Sequence, residues 1–143
     1  MKKLTKAHNN LHKMYGSADF SYCDAELKRG LHKDSAAYLR MLAEQLKLPE
    51  GSYEIRLNEG GIAGSGEITL HSDNLYVQIS QWAGYEDLRL LIRGCRSRTD
   101  FSGLENHSLT TLATPAGVVR MCEACIRKAP ALGVERWVAP STI

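Results

Sequence analysis

Between residues 52 and 93, four short segments alternate apolar and polar side chains, and no other feature constrains the fold as much. Tyr53, Ile55 and Leu57 interleave with Glu54, Arg56 and Asn58. Ile68 and Leu70 interleave with Glu67, Thr69 and His71. Leu75, Val77 and Ile79 interleave with Tyr76, Gln78 and Ser80, and Leu88, Leu90 and Ile92 with Arg89, Leu91 and Arg93. A strand sends successive side chains to opposite faces, so the pattern predicts a four-stranded antiparallel sheet with one core face and one polar face. Ser72-Asp73-Asn74 supplies a short hairpin connection, since Asp and Asn tolerate tight-turn backbone angles. Trp82 to Asp87 joins the third and fourth segments around Gly84.

The flanking segments have helical spacing. Leu4, Ala7, Leu11 and Met14 predict a helix over residues 3–15, ended by Gly16-Ser17. A weaker helical pattern covers 19–31 around Ala25, Leu27 and Leu31. A third helix is expected to start at Asp34 or Ser35 as N-cap, to bury Leu39, Leu42, Ala43 and Leu46, and to stop at Pro49 and Gly51. Thr114-Pro115 reads as an N-cap followed by a proline at the first helical position, with the helix running to about Lys128. Glu135 to Val138 reads as a short terminal strand. The fold class is therefore α+β, a single domain over residues 1–143. Its N-terminal helices and one C-terminal helix pack on one face of a four-stranded antiparallel sheet.

Composition excludes several function classes. With 43% apolar and 24% charged residues the chain is neither a disordered segment nor a disulfide scaffold. No run approaches the ~20 apolar residues that a membrane span needs. The start, MKKLTKAHNNLHK, is basic but has no apolar segment behind it, so no secretory signal is expected and the cytoplasm is the expected location. The net charge of +2 does not by itself imply nucleic acid. Charge is unevenly spread, with Lys2, Lys3, Lys6 and Lys13 at one end and Arg89, Arg93, Arg96 and Arg98 clustered later. Such a patch attracts anionic partners even on a nearly neutral molecule.

Few residues form a chemical constellation. Cys122 and Cys125 form a C-x-x-C, but Cys23 and Cys95 are isolated, whereas zinc favours four ligands in close pairs. The pair also sits too far into its helix for the N-terminal dipole to stabilise a thiolate. Packing in a stripe with Val118, Val119 and Ile126 accounts for it better, so neither metal nor cofactor is expected. His8 and His12 share a helical face but lack an adjacent glutamate, so a solvated surface is the reading. Gly60, Gly61, Gly64 and Gly66 lie between two strand patterns, unlike phosphate loops, which lead from a strand into a helix.

The segment from Cys95 to Ala113 has no period and is read as a long polar loop. Arg93, Arg96 and Arg98 are the candidate ligand-binding residues, since planar guanidinium forks suit phosphate or carboxylate. Asp100 and Glu105 are the internal carboxylates that could neutralise them instead. Asp100, Glu105 and His107 are the acid–base candidates there, His107 and Asp100 first among them, and His107 has no nucleophile or orienting partner at a recognisable spacing.

The leading functional reading is a binding or interaction protein without catalytic activity, taking an anionic ligand or partner through this basic loop. One alternative is a small enzyme using the loop with His107 as acid or base. Another is nucleic-acid binding on the polar sheet face, ranked last because only Tyr76 is placed for base stacking. Tyr76, Arg89 and Leu91 on that face also suit a homodimer interface.

Overall fold

The computed structural model describes residues 1–18, 20, 25–60, 64–81, 88–101, 103–110 and 114–131. Among these residues the order is α1 (Lys2–Tyr15), α2 (Ala25–Gln45), β1 (Tyr53–Asn58), β2 (Glu67–Ser72), β3 (Leu75–Gln81), β4 (Leu88–Gly94), β5 (His107–Thr110) and α3 (Pro115–Ala131). The sheet is antiparallel throughout, in the order β1-β2-β3-β4-β5. Helix α2 lies against β1 and β2, α3 against β3 and β4, and α1 against α2 and α3. The fold is thus α+β, with an antiparallel sheet as the alternation predicts.

The first four strands coincide with the four alternating segments. The β2–β3 hairpin has Asp73-Asn74 as its two-residue loop, and Ser72 Oγ accepts hydrogen bonds from the backbone amides of Asn74 and Leu75 at 3.3 and 2.9 Å. The apolar rungs run across the sheet as Ile55, Leu70, Val77 and Ile92, then Leu57, Ile68, Ile79, Leu90 and Leu109. Val118, Cys122 and Cys125 from α3 and Leu31, Leu39 and Leu42 from α2 complete the core. The C-x-x-C is therefore buried among apolar side chains, and burial pushes both thiols up from their ordinary pKa. Thr114 Oγ1 accepts the Gly117 amide at 3.2 Å, so the predicted N-cap of α3 is formed.

Four expectations need correction. A fifth strand, β5, lies within the segment read as a loop. The second and third helices are one continuous α2, and Asp34 does not cap it. Instead the Asp34 carboxylate accepts a 2.7 Å hydrogen bond from Tyr15 Oη and docks α1 on α2. On α1 the buried stripe is Leu4, His8, Leu11 and Tyr15, so His8 is buried beside Tyr38 while Met14 faces out. Helix α3 continues to Ala131. The residues expected to form a terminal strand, Glu135 to Val138, lie outside the described residues, as do Cys23 and the connection 82–87.

The second face of the sheet is not open. His71, Tyr76, Thr69 and Ser80 point away from the helices and are nevertheless buried. Part of their cover comes from residues 96–101 and 103–106, which lie between β4 and β5 and reach toward β1 through Ser97 and Arg98. We call this segment the strap.

Candidate functional site

Register places the polar residues in rows. Glu54, His71, Tyr76 and Arg93 stand opposite one another along one rung, and Arg56, Thr69, Gln78, Leu91 and Ser108 along the next. The two-residue hairpin dictates the pairing of His71 with Tyr76, because Ser72 must then face Leu75 across the turn.

His71 is the hub of this face. Its Nδ1 lies 2.9 Å from Arg56 Nη1, and its Nε2 lies 2.9 Å from the Ser97 carbonyl. A guanidinium only donates and a carbonyl only accepts, so the imidazole is neutral and carries its proton on Nε2. Burial lowers its pKa below the ordinary value; the Ser97 carbonyl opposes this and the Arg56 charge reinforces it. The Tyr76 and Phe101 rings meet the imidazole edge-on at 5.1 and 5.3 Å. Arg56 also pairs with Glu54 at 2.7 Å, lies over the Phe101 ring at 5.3 Å and donates to the Arg98 carbonyl at 3.2 Å.

The strap arginines have separate tasks. Arg98 ties the strap to the β2–β3 turn and to the residues ahead of β1, with Nε 3.3 Å from Asp73 and Nη1 3.1 Å from the Gly51 carbonyl. Arg96 pairs loosely with Asp100 at 3.6 Å, and its side chain is 59% exposed. Arg93 lies over the Tyr76 ring at 4.3 Å and donates to the Phe101 carbonyl and to Asn106. Among the described residues no carboxylate forms an ion pair with Arg93. Gly103 makes room for it: a Cβ there would stand 2.6 Å from Arg93 Nε, and φ is +63°. Arg89, further along β4, reaches Ser108 Oγ at 3.4 Å.

The acid–base candidates do not converge. Asp100 organises the strap turn, accepting the amides of Arg96 and Gly103 at 3.0 Å each. Glu105, the other internal carboxylate considered, pairs with Lys128 at 3.8 Å instead of with an arginine. His107 stands opposite Ile92 on β5 and so belongs to the helix side of the sheet, away from Arg93 and His71. Its imidazole makes no hydrogen bond to a described residue. Cys95 is buried beneath the strap, its thiol donating to the Ser72 carbonyl at 3.3 Å and its pKa pushed up to about 12 by burial. No group of three or more metal-ligating side chains occurs among the described residues.

Sequence reasoning placed Arg93, Arg96 and Arg98 in one region but missed His71, Arg56 and Phe101 as its centre. A signal for His71 existed, since the hairpin pairs it with Tyr76 on the polar face. The covering carbonyl of Ser97 left none. Of the expected interface residues, Tyr76 is 5% exposed beneath Arg93, while Arg89 and Leu91 are partly exposed.

No family model matches the chain, and no curated protein or solved structure matches it either. No helix among the described residues is long and apolar enough to cross a membrane.

Proposed function

We propose that this is a binding protein without catalytic chemistry, which receives an anionic group of a ligand or partner on the strap side of its sheet. The observation that carries this reading is the charge of Arg93. Its guanidinium is held in place by Tyr76, Phe101 and Asn106, with no described carboxylate to neutralise it. A fixed, uncompensated guanidinium is prepared for a phosphate or carboxylate, because its ordering cost is met before binding. Arg96 adds an exposed charge whose 3.6 Å pair with Asp100 is readily exchanged for an incoming anion. Phe101, 58% exposed, offers an apolar contact beside them. Arg98 serves as the tether that keeps the strap down. A cytoplasmic setting suits the free thiols of Cys95, Cys122 and Cys125.

The reading is tested by thermal unfolding in phosphate, sulfate and chloride at equal ionic strength. Phosphate or sulfate should raise the melting temperature above chloride by mass action. Arg96→Gln should reduce that rise while leaving the melting temperature in chloride nearly unchanged. Arg98→Ala should lower the melting temperature in all three salts. Equal melting temperatures in the three salts for the wild type would remove the reading.

A further inference from the structure

Among the described residues β1 and β5 are the two edges of the sheet, and they are built differently. β5 is four residues long, and polar Ser108 and Thr110 make up half of it. Short, polar edge strands discourage further pairing. β1, at the other edge, is six residues long and pairs with β2 in an unbroken register without a bulge. It contains no Pro and no Lys, and its charges are one Glu and one Arg, two residues apart and of opposite sign. Leu57 on it is 56% exposed, and Tyr53 and Ile55 on the same face are half-buried.

The sequence of this edge, Tyr-Glu-Ile-Arg-Leu-Asn, is complementary to itself. An antiparallel pairing of two copies about Ile55 places Ile55 opposite Ile55 and Tyr53 opposite Leu57. On the other face it places Glu54 opposite the partner's Arg56, and Arg56 opposite the partner's Glu54. Apolar groups then meet apolar groups, and each charge meets its opposite. Moving the two-fold axis one residue either way sets Glu54 on Glu54 or Arg56 on Arg56. Directly opposed like charges destabilise a strand pair. Centring the pair between two residues places the helices of the two copies on opposite faces of the joined sheet and mixes apolar with charged side chains.

We propose that β1 is a homodimer interface, in which two copies join edge to edge about Ile55 into one continuous ten-stranded antiparallel sheet. Glu54 and Arg56 already form a 2.7 Å pair within one chain, so the dimer would bring four charges into an alternating array. Leu57 loses its exposure against the partner's Tyr53. The backbone groups on the side of β1 turned away from β2, which have no strand partner among the described residues, gain hydrogen-bond partners. The pairing does not involve Arg93 or Arg96, so the proposal does not rest on the anion-binding reading.

Sedimentation velocity over a concentration series tests the proposal, with circular dichroism to check the fold of each variant. The wild type should sediment as a dimer at high micromolar concentration. Leu57→Lys and Glu54→Lys alter exposed side chains, and the two-fold axis applies each change twice. Each should weaken the dimer by roughly tenfold or more. Should Leu57→Lys fail to fold, Glu54→Lys alone decides. Leu91→Lys, on the strap-side face, should leave the dimer intact. The proposal is overturned by a wild type that stays monomeric across the series, or by a dimer that survives Glu54→Lys. A dimer broken by Leu91→Lys but not by the β1 variants would also overturn it, and would assign the interface to the strap-side face.

Discussion

Leu90 on the helix side of the sheet and His71 on the strap side are equally inaccessible to water. The reasons they are buried have almost nothing in common. Leu90 sits in a rung of apolar side chains, Leu57, Ile68, Ile79 and Leu109, and needs only volume around it. His71 needs a donor on one ring nitrogen and an acceptor on the other, and finds them in Arg56 and Ser97, which come from different elements. An apolar face is satisfied by any close-packed apolar cover. A polar face that is buried is satisfied only by partners with the right atoms in the right places. The helix side therefore tolerates exchange of one apolar shape for another, whereas the strap side depends on individual atoms.

The largest effect should come from the helix side. Leu90→Ala removes buried methyl groups from a closed layer and should cost about 2–5 kcal/mol in urea denaturation. Its neighbour Leu91 points to the other face and is partly exposed. Leu91→Ala should cost about 1 kcal/mol or less. Equal losses at the two positions would break the contrast between the faces and mean that the strap covers more than its hydrogen bonds imply.

This difference also explains what could be read from the sequence. The alternation in β1 to β4 is local, so their limits were legible to within about a residue. The Thr114-Pro115 start of α3 was legible because an N-cap involves only its own first turn. β5 was not: a four-residue strand with His107, Ser108, Leu109 and Thr110 is too short to show a period. Asp34 looks like a cap in the sequence alone because the Tyr15 hydroxyl that claims its carboxylate is on another helix. His8 is buried because the apolar stripe on α1 runs through Tyr15 rather than Met14, a choice that helical spacing alone does not decide. On the strap side the arginines were visible as a cluster, but their division into tether, exposed charge and ring-stacked charge was not. That division depends on Asp73, Gly51 and Tyr76, none of which adjoins the strap in sequence.

A smaller loss should follow from filling the space beside Arg93. Gly103 has φ +63°, and an L side chain in that region costs roughly 1–2 kcal/mol. Gly51 has φ +84° with nothing within 4 Å of the position a Cβ would take. Gly51→Ala therefore reports backbone strain alone. Gly103→Ala adds the displacement of Arg93 from Tyr76, so it should be the more damaging of the two. If both lose the same stability, Arg93 can move aside freely, and the strap side is less exacting than the comparison holds.

The smallest effect should appear on acidification, and it separates the two faces most cleanly. At pH 8 His71 is neutral in the folded and the unfolded chain, so it adds no pH dependence. Unfolded histidine takes up a proton near pH ~6.5. The folded chain resists, because burial and the Arg56 charge hold the pKa of His71 lower, against the pull of the Ser97 carbonyl and Asp100. Protonation would place an N–H against the Arg56 guanidinium and break the 2.9 Å contact. The unfolded state then binds more protons than the folded state, and stability falls as pH drops below about 6.5. Melting temperatures of the wild type should therefore decline between pH 7.5 and 5.5. His71→Asn keeps an acceptor for Arg56 but cannot titrate, so its decline over that interval should be shallower. Leu90→Ala should melt lower at every pH yet follow the wild-type slope, since an apolar rung holds no proton. If His71→Asn keeps the full wild-type slope, the titrating group lies elsewhere, and the neutral imidazole is not what distinguishes the strap side in acid.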